Sequence, residues 1–394
     1  MTRTEETAGL TSYCPACGKR AARRGSFTSW LLLSEICSCP SDTAGSRPIT
    51  SGDGKDQGKA QATGFPDSPE VCPTIKSRFD FVRKLGNDAG ISTYLIRQKD
   101  DGSTCVLKLL RADPAKESQK IETFRQVGPQ ILALRHNNIV SVREQDVPLF
   151  GGAYLLTENV NGQVLSAILK QCGSVPPAET LALFMQLCAA LEVAHAQKLL
   201  HGNLRPQKIE VTEDGIAKIG DFGLSFLQPS LDQDPGDPAY MSPEQCLGEM
   251  MTALSDIYSL GCLMYHVLAG APPFAHASAI KVIVQQVNES PKPIANTAGD
   301  ELAAGLSAII NQCLQKRPQD RYGSAAALHA DLTAVQQGKP PSAARSSGVF
   351  GSQTSPPVGN SARSIGAPHL VALIIGIAIG ASLAFLVMTG LAHH

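Results

Sequence analysis

From about residue 77 to about residue 337 the apolar positions predict strands first and helices later. In CVLKLL, the period of two places Val106, Lys108 and Leu110 on one face of a strand. Further on, Leu181, Phe184, Cys188, Leu191 and His195 recur at helical spacing, the buried stripe of a long helix. Leu370 to Leu391 has neither period: it is 22 residues without a charge or a proline. A helix of that length spans about 33 Å, enough for a hydrocarbon core of about 30 Å, so residues 369–391 are expected to cross a membrane. Lys339, Arg345 and Arg363 precede this segment and only His393 and His394 follow it. That bias predicts a single-pass C-terminal anchor with the folded region in the cytoplasm. Gly376 and Gly380 form a GxxxG row that would let two such helices approach and pair as a homodimer.

Composition then divides the rest. Residues 41–76 and 338–368 are rich in Gly, Ser and Pro and poor in large apolar groups, the pattern of linkers. Hydrophobic residues make up 43% of the 394 and charged residues 18%, enough apolar material for a sizeable core between the linkers. A formal net charge of −1 gives no general attraction to nucleic acid. Eleven cysteines, an odd number and mostly scattered, suit a reducing compartment. Four of them, Cys14, Cys17, Cys37 and Cys39, are spaced C-x2-C-x19-C-x-C within residues 1–40. Two close pairs of thiolates can close a tetrahedron around a structural zinc, with free thiols as the alternative.

Between the linkers a series of motifs stands in a fixed order: KLGNDAGISTY, CVLKLL, LRHNNIV, HGNLRPQKI, KIGDFGLS, GDPAYMSPEQ, SDIYSLGCLMYHVLAGAPPF and RPQDRYGSAAAL. Over roughly 255 residues the series resembles the bacterial eukaryotic-type Ser/Thr protein kinases. The resemblance implies an α+β fold of two lobes, an antiparallel sheet with helix C and a helical lobe. It implies a nucleotide site at Gly86, Val106, Lys108, Thr157, Glu158 and Asp221. It also assigns His201, Glu244, Asp256 and Arg321 to the scaffold.

The functional positions depart from the family pattern. Phosphoryl transfer needs a cover for the phosphates, a lysine fixed by a carboxylate, metal ligands and an acceptor for the substrate's proton. In the glycine-rich loop only Gly86 is in place; Asp88 and Ile91 fill the other two positions, and Asp88 would turn a negative charge toward phosphates. Val127 stands where helix C should carry the glutamate partner of Lys108, and Pro129 predicts that this helix is broken or kinked, with Glu122 a substitute only after a register shift. Val106 adds methyl groups beneath an adenine. Asn203 replaces the aspartate that takes the proton, and an amide takes none at neutral pH. Gly202 replaces an arginine, Arg205 a lysine, and Lys208 the asparagine that holds a second metal. One or both of Lys108 and Lys208 are expected to pair with Asp221, and Arg205 with Asp237. ATP and magnesium, the family's cofactors, are thereby expected to bind weakly or not at all. The expected function is a membrane-anchored pseudokinase, a scaffold or allosteric partner for a cytoplasmic protein such as an active kinase. The alternatives are an active Ser/Thr kinase using atypical residues and a nucleotide sensor without catalysis.

Overall fold

The computed structural model describes residues 73–88, 90–111, 118–147, 152–225, 237–294 and 299–343. The cysteine module at Cys14, Cys17, Cys37 and Cys39, the segment 369–391 with Gly376 and Gly380, and most of both linkers lie outside these residues.

Five strands build the N-terminal lobe. They are β1 (Phe79–Asp88), β2 (Ile91–Gln98), β3 (Thr104–Arg111), β4 (Val142–Asp146) and β5 (Gly152–Glu158). All pair antiparallel, in the order β1-β2-β3-β5-β4, so β3 is central. The period of two in β3 divides its side chains between two cores. Leu110 joins Ile91, Phe124, Ile131 and Leu155 on the face covered by the helix α2 (Ser118–Ala133). Cys105 and Leu107 join Tyr94, Ile96 and Tyr154 on the other face. That second face is closed by the short helix α1 (Pro73–Arg78), whose Ile75 is fully buried. The end of the stretch expected as the first linker is therefore part of the fold.

Helix α2 occupies the helix C position and runs without a break through Pro129, contrary to the kinked helix expected from the sequence. Its buried stripe is Phe124, Gly128 and Ile131, whereas Pro129 and Arg125 lie on the exposed side. The proline removes the hydrogen bond to the Arg125 carbonyl, and on that side water can take its place.

The C-terminal lobe is helical around α4 (Pro177–Ala196), preceded by β6 (Gly162–Val164) and α3 (Leu165–Cys172). Helix α4 is long and apolar enough to cross a membrane, yet Leu181, Phe184, Leu187, Cys188 and Leu191 are its buried core face. Each large side chain so buried contributes roughly 1.5–3 kcal/mol. Strands β7 (Ile209–Thr212) and β8 (Ala217–Ile219) follow, and form a three-stranded sheet with β6. The remaining helices are α5 (Pro243–Cys246), α6 (Ala253–Ala269), α7 (Ala279–Asn288), α8 (Glu301–Cys313) and α9 (Ala325–Gln336). Capping boxes at Ser242 and Thr252 start α5 and α6. Beyond α9, Ala343 is buried and Ser342 donates its backbone N–H to Asp331, so the second linker begins with packed residues.

Candidate functional site between the lobes

The loop His201–Lys208 is held from below by Asp256 on α6. One Asp256 oxygen accepts the His201 N–H at 2.9 Å, the other accepts the Gly202 N–H at 2.7 Å, and His195 also bonds the first. Gly202 has φ +67°, and a Cβ there would lie 2.5 Å from the Cβ of Ser225, so glycine admits both the turn and the close approach. The His201 ring is buried, receives the Asn203 N–H at Nδ1 and donates from Nε2 to the Gly220 carbonyl. Burial lowers its pKa and keeps it neutral. Its edge meets Phe222 at 5.1 Å. Deeper in the lobe Glu244 takes Arg321 in a buried two-bond fork of 2.7 and 2.8 Å.

Above this frame the charged side chains form a ladder. Lys108, in the middle of β3, donates to Asp221. Lys208 donates to Asp221 and to Asp88, both at 2.6 Å, and Arg205 donates to Asp88 at 2.6 Å. Lys108, Asp221, Lys208, Asp88 and Arg205 thus alternate in sign from the central strand, through the catalytic loop, to the tip of the β1–β2 hairpin. Burial alone would raise the Asp221 carboxyl, but the two ammonium groups outweigh it and hold it far below the usual range. The Asp88 carboxyl is likewise lowered, its partial burial outweighed by Lys208 and Arg205. Lys208 is raised, because Asp221 and Asp88 more than offset its own burial.

Three expectations are corrected here. Asp88 does not present a bare charge to the cleft; its carboxylate is tied down by two cations. Arg205 bonds Asp88 and not Asp237, whose side chain instead caps the backbone N–H of Ala239. The latter is a local bond two residues along the chain, and Asp88 arrives from above where the hairpin closes. Glu122 takes no part, since it is exposed and bonds Arg125 on its own helix.

The other positions are accounted for. Val127 packs beside the glycine of the DFG sequence: a Cβ on Gly223 would meet its methyl at 3.1 Å. Helix α2 therefore contributes an apolar contact where the family carries a carboxylate. Ile91 is buried among Leu110, Phe124 and Leu155, so the third glycine position has become core. The hairpin turns instead at Gly90, with φ +78°. Gly86 lies on β1 opposite Thr93, and Val106 lies on β3 opposite Thr157. Thr157 is buried with its hydroxyl on the Glu158 carbonyl.

Among the described residues, two small cavities lie beside the ladder. Lys108, Thr157, Asp221 and Phe222 line one with Ile131, Leu134 and Leu155, and its volume of about 20 Å³ is room for a single water. Asp88, Asn203, Lys208, Asp221 and Ser225 surround another of about 10 Å³.

One group escaped the sequence reading. Glu210 on β7 stands opposite Lys218 on β8, and Lys218 donates to Glu158 at 3.0 Å. Burial raises the Glu210 carboxyl, which also feels the charges of Lys108 and Asp221. The signal was its place two residues after Lys208, on the strand leaving the catalytic loop.

The Protein kinase domain model matches residues 79–333. The chain belongs to the protein kinase family. The chain is 31% identical over 280 residues to the Serine/threonine-protein kinase PknB of Mycobacterium leprae, covering 69% of this chain and 45% of that one. It is 32% identical over 279 residues to PknB of Mycobacterium tuberculosis, covering 68% and 44%. The chain therefore spans less than half the length of these curated relatives. Among solved structures, the PknI kinase domain of Mycobacterium tuberculosis is similar in fold, with a TM-score of 0.53, 23% identity, and coverage of 66% of this chain and 96% of that one.

The family implies ATP and magnesium, and the residues present do not fit the metal. A divalent cation needs free oxygen ligands. Both oxygens of Asp221 are bonded to ammonium groups, and the second ligand position is the ammonium of Lys208.

Proposed function

We propose that this protein is a pseudokinase: a signalling protein that keeps the kinase scaffold and has given up phosphoryl transfer. The observation that supports this most is Asp221 enclosed by Lys108 and Lys208, with Asp88 bridging Lys208 to Arg205. Lysine and aspartate are both retained, yet each neutralises the other. Asn203 adds the loss of the proton acceptor, and general-base assistance is typically worth about 10²–10⁴-fold. Losses within one catalytic unit are not additive, but together they leave little turnover.

In this reading the domain acts by its surfaces, as a scaffold or allosteric partner of a cytoplasmic protein, an active kinase being the expected class. Residues 369–391 anchor it to a membrane with the domain on the cytoplasmic side, Gly376 and Gly380 support pairing of two anchors, and Cys14, Cys17, Cys37 and Cys39 hold a structural zinc. A thermal-shift titration of the full chain with ATP, with and without magnesium or manganese, tests the central part. No metal-dependent rise in melting temperature is expected. A rise that needs the metal would restore the nucleotide site.

A further inference from the structure

The ladder contains three cations and two anions, and the anions differ in kind. Asp221 belongs to the floor of the cleft and is held on both oxygens. Asp88 comes from the tip of a hairpin, its side chain is 42% exposed, and one oxygen, Oδ2, takes both Lys208 and Arg205. The two cations are the fixed parts, with side chains only 9% and 16% exposed on the catalytic loop. Without Asp88, Lys208 keeps one oxygen of Asp221. Arg205 would keep no ion pair among the described residues, and its Nε is already buried without a partner among them. The cations are built in, and the anion that covers them is replaceable.

The charges beside the ladder narrow the class of ligand. Glu210 feels Lys108 and Asp221, and Glu158 accepts from Lys218, whereas a nucleobase would need apolar surroundings. A phosphate chain has many anionic oxygens for the planar fork of Arg205 and the point charge of Lys208. Those cations neutralise it as a metal would, and a divalent cation on the ligand would be repelled by them.

We propose that Lys108, Lys208 and Arg205 form a site for a polyphosphate anion taken up without a divalent cation and without regard to any base it carries, and that Asp88 is an internal plug which this anion displaces. The proposal rests on the pseudokinase reading, because it assigns to the ladder a role that excludes the metal. A plug that occupies the site weakens the apparent affinity by the fraction of molecules left open.

The test is isothermal titration of the full chain in EDTA with inorganic triphosphate and, separately, with ATP, for the wild type, Asp88→Asn and Arg205→Gln. Asp88→Asn is expected to bind triphosphate roughly tenfold more tightly than the wild type. Arg205→Gln should bind more weakly, ATP should match triphosphate within about threefold, and excess magnesium should weaken all binding. The proposal is overturned if folded Asp88→Asn shows unchanged or weaker affinity. It is also overturned if magnesium is required, or if ATP binds more than about tenfold better than triphosphate. The same samples, supplied with labelled ATP and magnesium, separate the two readings. Transfer of label would sink the pseudokinase reading itself, whereas absent anion binding without transfer sinks only the plug.

Discussion

Asp221 has φ +63°, a left-handed conformation that aspartate tolerates better than most side chains, and it is closed between two ammonium groups. Such a buried arrangement is balanced: desolvation offsets much of the Coulomb gain, so the ladder adds little net stability while complete. Removing one member is another matter. Asp221→Asn leaves Lys108 without its ion-pair partner and Lys208 with only Asp88, and should lower stability by about 3–5 kcal/mol, read from urea denaturation. The ladder also gives a pH profile. The folded pKa values of Asp221 and Asp88 are lowered, so their contribution is complete above the unfolded value of about 3.9 and is lost as pH falls through the folded values. Lys208 is raised, so its contribution is complete below about 10.4 and is lost as pH rises through its folded value. Denaturation midpoints should therefore fall from about pH 4 downward, and less steeply in Asp88→Asn than in the wild type. An equal slope in the two proteins would contradict the assignment of Asp88.

At the scale of elements, helix α2 shows what the sequence displayed and what it concealed. The position of Val127 was legible from the order of the motifs, whereas the Phe124–Ile131 stripe emerges only in the fold. That Pro129 would leave the helix whole was not legible either, because the outcome depends on which face carries the unpaired Arg125 carbonyl. Pro129→Ala should stabilise the protein by about 1–2 kcal/mol in the same denaturation experiment, by restoring that bond. No gain would mean that the helix already yields at this point. In α4 the stripe at Leu181, Phe184, Cys188 and Leu191 was read directly, because helical spacing and burial coincide there. His195 joins it by spacing but bonds Asp256, and so ties α4 to the loop that α6 braces. Phe184→Ala should cost about 3–5 kcal/mol through the cavity it opens.

Across the whole molecule, the scaffold was far more legible than the charges it carries. His201, Glu244, Asp256 and Arg321 sit in motifs that carry the family resemblance, and that resemblance assigned them to the scaffold although their contacts span 55 and 77 positions. The pairing of Lys208 with Asp221 is nearly local, since β7 and β8 return one to the other. Asp88 and Arg205 are 117 positions apart and meet only because the hairpin tip closes onto the catalytic loop. No periodicity reports such a contact, although three cations beside one carboxylate could have prompted the search for another anion. The ladder joins the two lobes, and in the proposed reading Lys208 stands where a metal ligand would, so Lys208→Asn should raise magnesium affinity, measured by calorimetry, while leaving Asn203 unable to take a proton. The most direct measurement of the central claim is incorporation of labelled phosphate from ATP by the full chain, with magnesium and with manganese, beside a Lys108→Ala control. No incorporation above the control is expected; Lys108-dependent incorporation would show a working kinase.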